Sequence, residues 1–285
     1  MGGLNYYSEQ SSNKSLRHWT QTISVTSGKG GVGKTTVVIN MAQKLARMGK
    51  RVLILDGDFG MANIDVMLGL HTPHTLYDVL QGSKELSDVI IETLPGIDLI
   101  PGGSGIYEVQ SLSTMQKYLL MDQVSQLKEK YDVFLLDTAP GIDDNVLYLN
   151  AAADEVLLLL TPDPSSLTDA YALIKVLNQR YKTHKVSILC NMVQDQVEAK
   201  KCFKRLSDVA SQFLNISLDY KGFIPYDNNL KRATKSQQLV VEAHPKTPAS
   251  FAFQYLVDEM CGYGKPRECH GGMQFFWQQL AGVRA

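Results

Sequence analysis

Nine residues near the start of the chain, Gly28-Lys29-Gly30-Gly31-Val32-Gly33-Lys34-Thr35-Thr36, constrain the fold more than any other stretch. They satisfy the spacing G-x-x-x-x-G-K-[ST]. A strand is expected just before them at 22–26, with Ile23 and Val25 apolar. Residues 34–48 follow, with Val38, Met41, Ala42 and Leu45 at helical spacing and Gly49 where a C-cap glycine belongs. Strand, glycine-rich turn and helix in that order make an anion cradle. Glycines let backbone N–H groups turn inward around phosphate oxygens, and the helix presents its positive N-terminus. Lys34 is expected to reach the β- and γ-phosphates and the Thr35 hydroxyl to hold Mg²⁺, so ATP and Mg²⁺ are the expected ligands.

The rest of the chain repeats the alternation. Strands are expected at 51–56, 97–100, 131–137, 155–161, 186–191 and 220–224. Helices are expected at 115–130, 167–181, 197–213, 229–235 and 248–260. Continuous apolar strands separated by helices imply a doubly wound α/β fold: a mostly parallel sheet with helices on both faces, in a single P-loop NTPase domain over 20–261. Residues 1–19 read as a polar, flexible extension, and 262–285 as a Gly- and Pro-containing linker with a C-terminal amphipathic helix.

Composition excludes several classes. The formal charge of the 285-residue chain is -1, so direct DNA binding is not expected. The clusters Lys200, Lys201, Lys204, Arg205 and Lys231, Arg232, Lys235 read as solvated faces. The four cysteines form no Cys-x-x-Cys pair, and Cys269 beside His270 lacks further ligands at zinc spacing. His71 and His74 read as loop residues. No apolar run approaches membrane-spanning length, the polar N-terminus is no secretory signal, and free thiols fit a reducing cytosol, so a cytoplasmic location is expected.

Three acids fall at strand ends, where such sheets bind ligands. Asp56 and Asp58 follow the second strand and Asp137 ends a later one. Asp137 is the candidate for the Mg²⁺ side and Asp58 for orienting the attacking water. Asp137-Thr-Ala-Pro-Gly141 reads as a switch whose Gly141 N–H contacts the γ-phosphate. Lys29 goes beyond what the motif needs. It is either a solvent-exposed lysine or a cation that reaches the ATP of a facing subunit, as an arginine finger does.

The segments Lys29–Thr36, Asp56-Gly-Asp-Phe-Gly-Met-Ala-Asn-Ile-Asp65 and Asp137-Thr-Ala-Pro-Gly-Ile142 together resemble the deviant Walker A motif and the two switch regions of the MinD/ParA family, a likeness that runs from about 20 to 260. The resemblance implies an ATP-sandwich homodimer with Lys29 acting across the interface. It also implies that Asp58 activates water, Asn191 reads the adenine, and 225–227, with Pro225 and Asp227, form the loop beside the base. Within the family, Thr161-Pro-Asp-Pro-Ser-Ser-Leu-Thr-Asp-Ala-Tyr-Ala-Leu-Ile-Lys175 resembles the flagellar-number regulators FlhG and FleN. That likeness implies as partners the GTPase FlhF, a flagellar master transcription activator or components of the flagellar base.

Such regulators carry an N-terminal D-Q-A-x-x-L-R segment. Here Glu9-Gln10-Ser11 and Leu16-Arg17 stand in a degenerate, longer version. Near the other end, Met273, Phe276, Trp277 and Leu280 share one helical face. That pattern, with the family resemblance, points to in-plane contact of 273–285 with the inner face of the cell membrane, the alternative being docking on the protein's own core. The alternative function is a chromosome- or plasmid-partitioning or cell-division-site ATPase of the same family. An iron–sulfur or nitrogenase-type relative would need cysteines that are absent near the second switch.

Overall fold

Fully apolar strands can be stable only where both faces of a sheet are covered, and the structure is built around that requirement. The computed structural model describes residues 20–58, 63–103, 113–127, 130–261 and 272–280. Its strands are β1 (Gln21–Thr26), β2 (Val52–Gly57), β3 (Ile91–Leu94), β4 (Ile97–Ile100), β5 (Val133–Thr138), β6 (Glu155–Leu160), β7 (Lys185–Val193) and β8 (Ser217–Pro225). They form one eight-stranded sheet in the order β3-β4-β2-β5-β1-β6-β7-β8. Every pairing is parallel except the β3–β4 hairpin.

The helices are α1 (Lys34–Arg47), α2 (Ile64–Leu68), α3 (Leu76–Leu80), α4 (Leu86–Val89), α5 (Thr114–Leu127) and α6 (Asp144–Ala152). There follow α7 (Pro164–Tyr181), α8 (Gln196–Phe213), α9 (Asn228–Lys235), α10 (Val240–Ala243), α11 (Pro248–Cys261) and α12 (Gly272–Leu280). Side chains alternate across the sheet with period two. On β5, Val133 and Leu135 join the core under α1 and α11. Phe134 and Leu136 join the opposite core, with side chains of α3 to α6 and α12. On β6 and β7, Leu158, Leu160, Ile188 and Cys190 meet α7 and α8.

The expected doubly wound fold is therefore present, with three differences. The hairpin strand β3 is short, partly exposed and carries Glu92, so it lacks the apolar run that marks the other strands. Helices α2, α3, α4, α6 and α10 occupy stretches between the expected elements; α3 and α4 begin with capping boxes at Thr75 and Glu85. The third difference corrects the C-terminal expectation. Met273, Phe276 and Trp277 are buried, and the Phe276 and Trp277 rings lie 5.3 and 6.4 Å from Phe134. The apolar face expected to meet a membrane closes the protein's own core, so 272–280 belong to the domain rather than to a tail. Strand β5 offered that face the apolar side chains of Phe134 and Leu136, and each buried aromatic or aliphatic side chain gains about 1.5–3 kcal/mol. No helix among the described residues is long and apolar enough to cross a membrane. The residues 1–19, including Glu9, Gln10 and Arg17, and the Cys269–His270 pair lie outside the described residues.

Candidate nucleotide and Mg²⁺ site

Strand β1 delivers Ser27 and the glycine turn to the carboxyl edge of the sheet. Gly28 must be glycine: a Cβ there would stand 2.2 Å from the backbone carbonyl carbon of Asp169 on α7. Gly31 and Gly33 hold φ of 75° and 91°, a region that side-chain-bearing residues rarely adopt. Gly33 is the N-cap of α1, which has neither a capping side chain nor an acid in its first turn. The first-turn N–H groups thus remain available to an anion. Val32 is buried and Thr36 half-buried, which seats the loop on the core.

Lys34 is nearly buried, with its ammonium 3.2 Å from the Ser27 hydroxyl. Burial pushes its pKa down, while Asp137 and Asp58 pull it back. Asp56 and Asp137 are partners in register on β2 and β5. Burial raises the Asp137 carboxyl to about 7; the Thr35 hydroxyl hydrogen-bonded to it works against the rise, and the charge of Asp56 adds to it. Its Oδ1 is buried with no hydrogen-bond partner. Thr35 and Asp137 thus offer an alcohol and an unsatisfied carboxylate oxygen beside a cradle for phosphate. That donor set suits Mg²⁺, a hard cation that prefers oxygen and keeps several waters.

Asp56 has a different job. Its carboxylate accepts N–H groups from Asp58, Asn63 and Ile64 at 3.2, 3.0 and 3.2 Å. It therefore ties both ends of the switch segment that carries Asp58. Burial lifts its pKa to about 6, against those three hydrogen bonds. The Gly141 N–H, expected at the γ-phosphate, donates to Ser27 O at 2.9 Å. In this structure it joins the second switch to the root of the phosphate loop, and Gly141 has φ of 102°.

Lys29 turns away from the cradle. Its ammonium lies 2.5 Å from Asp163 and 2.6 Å from the Ser165 hydroxyl, at the start of α7. The Lys29 hydrogen bond, with those from Ser165, holds the Asp163 carboxyl down at about 2. Lys29, Gly30, Asp163 and Met192 line a cavity of about 410 Å³ at the loop. Asn191 is buried at the end of β7. Its Nδ2 donates to Val32 O at 2.7 Å and its Oδ1 accepts from Met192 N at 2.9 Å, leaving one N–H and one lone pair for a base. Pro225 ends β8 beside Val193. Asp227 instead caps α9, accepting from Asn229 N at 2.7 Å, and accepts from Ala249 N of α11 at 3.3 Å. Its carboxylate ties the start of α9 to α11. Ser27, Asp163 and Ser165 were not named as site residues from the sequence; Ser27 stands just before Gly28, and Asp163 and Ser165 lie in the 161–175 segment that carries the family likeness.

A buried lysine, an alcohol and an unsatisfied carboxylate around a glycine-rich helix N-terminus define a P-loop nucleotide site that holds ATP with Mg²⁺. A family profile described as an AAA domain matches residues 20–190. The chain is 41% identical over 263 residues to antiactivator FleN of Pseudomonas aeruginosa, covering 92% of this chain and 94% of that one. It is 33% identical to the flagellum site-determining protein YlxH of Helicobacter pylori, covering 85% and 81%. Among solved structures it resembles MinD of Pyrococcus horikoshii complexed with Mg-ADP, with TM-score 0.66, 29% identity and coverage of 85% and 96%. It also resembles an Aquifex aeolicus MinC:MinD complex, with TM-score 0.69, 27% identity and coverage of 87% and 98%. The chain belongs to the MinD/ParA family of P-loop ATPases. Within that family its sequence is similar to the FleN and YlxH proteins.

Proposed function

We propose that this chain is an ATP-dependent dimer switch that regulates flagellar number and placement, with slow hydrolysis limiting the lifetime of the ATP-bound dimer. One observation carries the switch: Lys29 stands at the mouth of the site, gripped by Asp163 and Ser165, while Lys34 alone occupies the cradle. A cation held there is placed to leave its own subunit and stabilise charge on a partner's ATP. The similarity to FleN and YlxH over most of the chain supports the flagellar setting.

In the chemistry, the loop N–H groups and Lys34 bind and orient the phosphates. Thr35 and Asp137 would hold Mg²⁺, which would supply positive charge beside the phosphates. Asp58 orients and deprotonates the attacking water, and Lys29 of a second copy balances charge as the bond to the leaving phosphate breaks. Departure of the γ-phosphate then lets the Gly141 and Asp56 segments reset. The fitting partners are the GTPase FlhF, a flagellar transcription activator or the flagellar base, and the location is the cytoplasm. Membrane contact through 273–285 is conditional on α12 leaving the core. Flagella counted by electron microscopy in cells carrying Asp58→Ala on the chromosome test this function. A changed number or position per cell is expected; a wild-type distribution despite lost ATPase activity would contradict it.

A further inference from the structure

The cation in the cradle is not held by an acid. Asp137 and Asp58 act on Lys34 through their charge, but the hydrogen bond that its ammonium makes among the described residues goes to the Ser27 hydroxyl, at 3.2 Å. Ser27 is fully buried. Thr26 before it ends β1, and Gly28 after it sits so close to α7 that no Cβ fits. The hydroxyl therefore projects from the tightly packed root of the loop, where a side chain is held in one place.

The bonds of this hydroxyl leave no choice of direction. It has one proton and two lone pairs. A carbonyl can only accept, so the contact with Lys29 O at 2.6 Å takes the proton. An ammonium can only donate, so a lone pair faces Lys34. The bond to Lys29 O spans Gly28 and fixes the hydroxyl's rotation, which in turn aims the lone pair. The backbone oxygen of the same residue accepts the Gly141 N–H at 2.9 Å. Ser27 thus meets the Lys29 peptide, the Lys34 ammonium and the second switch.

A neutral acceptor suits that place. A carboxylate at hydrogen-bond distance would neutralise the ammonium and compete with phosphate for it. A hydroxyl orders the ammonium and leaves its charge to the ligand. A lysine side chain is long and flexible, and ordering it during binding lowers affinity, a loss that a side chain already in place avoids. We propose that Ser27 is a positioning residue of the ATP site: its hydroxyl, aimed by the bond to Lys29 O, holds the Lys34 ammonium where the phosphates meet it. The proposal rests on the reading of Lys34 as the cation that binds phosphate.

Calorimetric titration with MgATP of wild type, Ser27→Ala, Lys34→Ala and the double variant tests this. Ser27→Ala is expected to weaken MgATP binding by about 10-fold, the scale of ordering one long side chain. In the Lys34→Ala background the same substitution is expected to change affinity by less than about 2-fold, because no ammonium is left to place. Ser27→Thr, which keeps the hydroxyl, is expected to retain most of the wild-type affinity. Unchanged or tighter binding by Ser27→Ala would overturn the role of Ser27. So would an equal loss in both backgrounds, which would assign the hydroxyl's effect to the Lys29 peptide, or a Ser27→Thr variant that melts like wild type yet binds no better than Ser27→Ala. A Lys34→Ala variant that binds MgATP as tightly as wild type would overturn the reading of Lys34 itself, and the role of Ser27 with it.

Discussion

Phe134 and Asp137 lie on the same strand, three residues apart, and belong to opposite kinds of environment. Phe134 faces α12, where it packs against Phe276 and Trp277 and all three rings are buried. Asp137 faces the phosphate loop with Oδ1 unsatisfied and its carboxyl raised toward neutrality. At the first place apolar rings pack on one another; at the second Lys34, Asp56 and Asp137 are buried together with one Asp137 oxygen unpaired, a charge arrangement that a ligand completes. The contact under α12 serves the fold, and the buried charges beside the phosphate loop serve a ligand. Substitutions at the two places should therefore act on different observables.

The largest effect belongs to catalysis. Asp58→Ala should lower the rate of phosphate release by at least about 100-fold, as loss of a positioned base does. ATP should still bind, and the unfolding temperature should not fall. A large loss of stability would mean that the phosphate site also holds the fold. Next in size, Trp277→Ala should cost about 3–5 kcal/mol in denaturant unfolding by opening a cavity against Phe134. ATP affinity of the folded fraction should stay unchanged. Trp277→Phe sharpens the point: it removes a buried indole N–H that has no partner and should cost far less, since an orphan donor is itself unfavourable.

A smaller effect is expected from pH. Asp56 and Asp137 have folded pKa values of about 6 and about 7, against 3.8 unfolded. Between pH 4 and 7 the native state thus binds more protons than the unfolded state, and their contribution to stability falls as pH rises through that window. Melting curves of nucleotide-free, Mg²⁺-free protein should show a steeper decline from pH 5 to 7 for wild type than for Asp137→Asn. Parallel slopes would show that Asp137 is charged already at pH 5. The smallest effect on the fold is expected at the exposed Lys29–Asp163 pair. Asp163→Asn, which keeps the cap this side chain makes on α7 with the Ser165 N–H, should barely move the melting temperature, yet by loosening Lys29 it should lower the ATP concentration needed for dimerisation in light scattering.

The phosphate site was legible because its chemistry is local. Loop, preceding strand and following helix are contiguous, and Asp56 and Asp137 end apolar runs, with Asp58 two residues further on. What was not legible depends on distant parts meeting. The grip on Lys29 comes from residues 134 and 136 positions away, brought near only when α7 packs against Gly28. The cap that Asp227 makes on α9 and its bond to Ala249 N were not separable in sequence from a place beside the base, because a cap and a ligand contact both put an acid just before a helix. The face of α12 has the same periodicity whether it meets lipid or Phe134, so spacing alone could not separate the two.

The central claim is that Lys29 acts on the ATP of a second copy. Mixing two inactive variants, Lys29→Ala and Asp58→Ala, and measuring phosphate release tests it most directly. If Lys29 works across the interface, each mixed dimer contains one complete site, with Asp58 from one copy and Lys29 from the other, and activity returns on mixing. If the mixture stays as inactive as its components while light scattering shows mixed dimers with ATP, Lys29 serves its own subunit and the account of the switch is wrong.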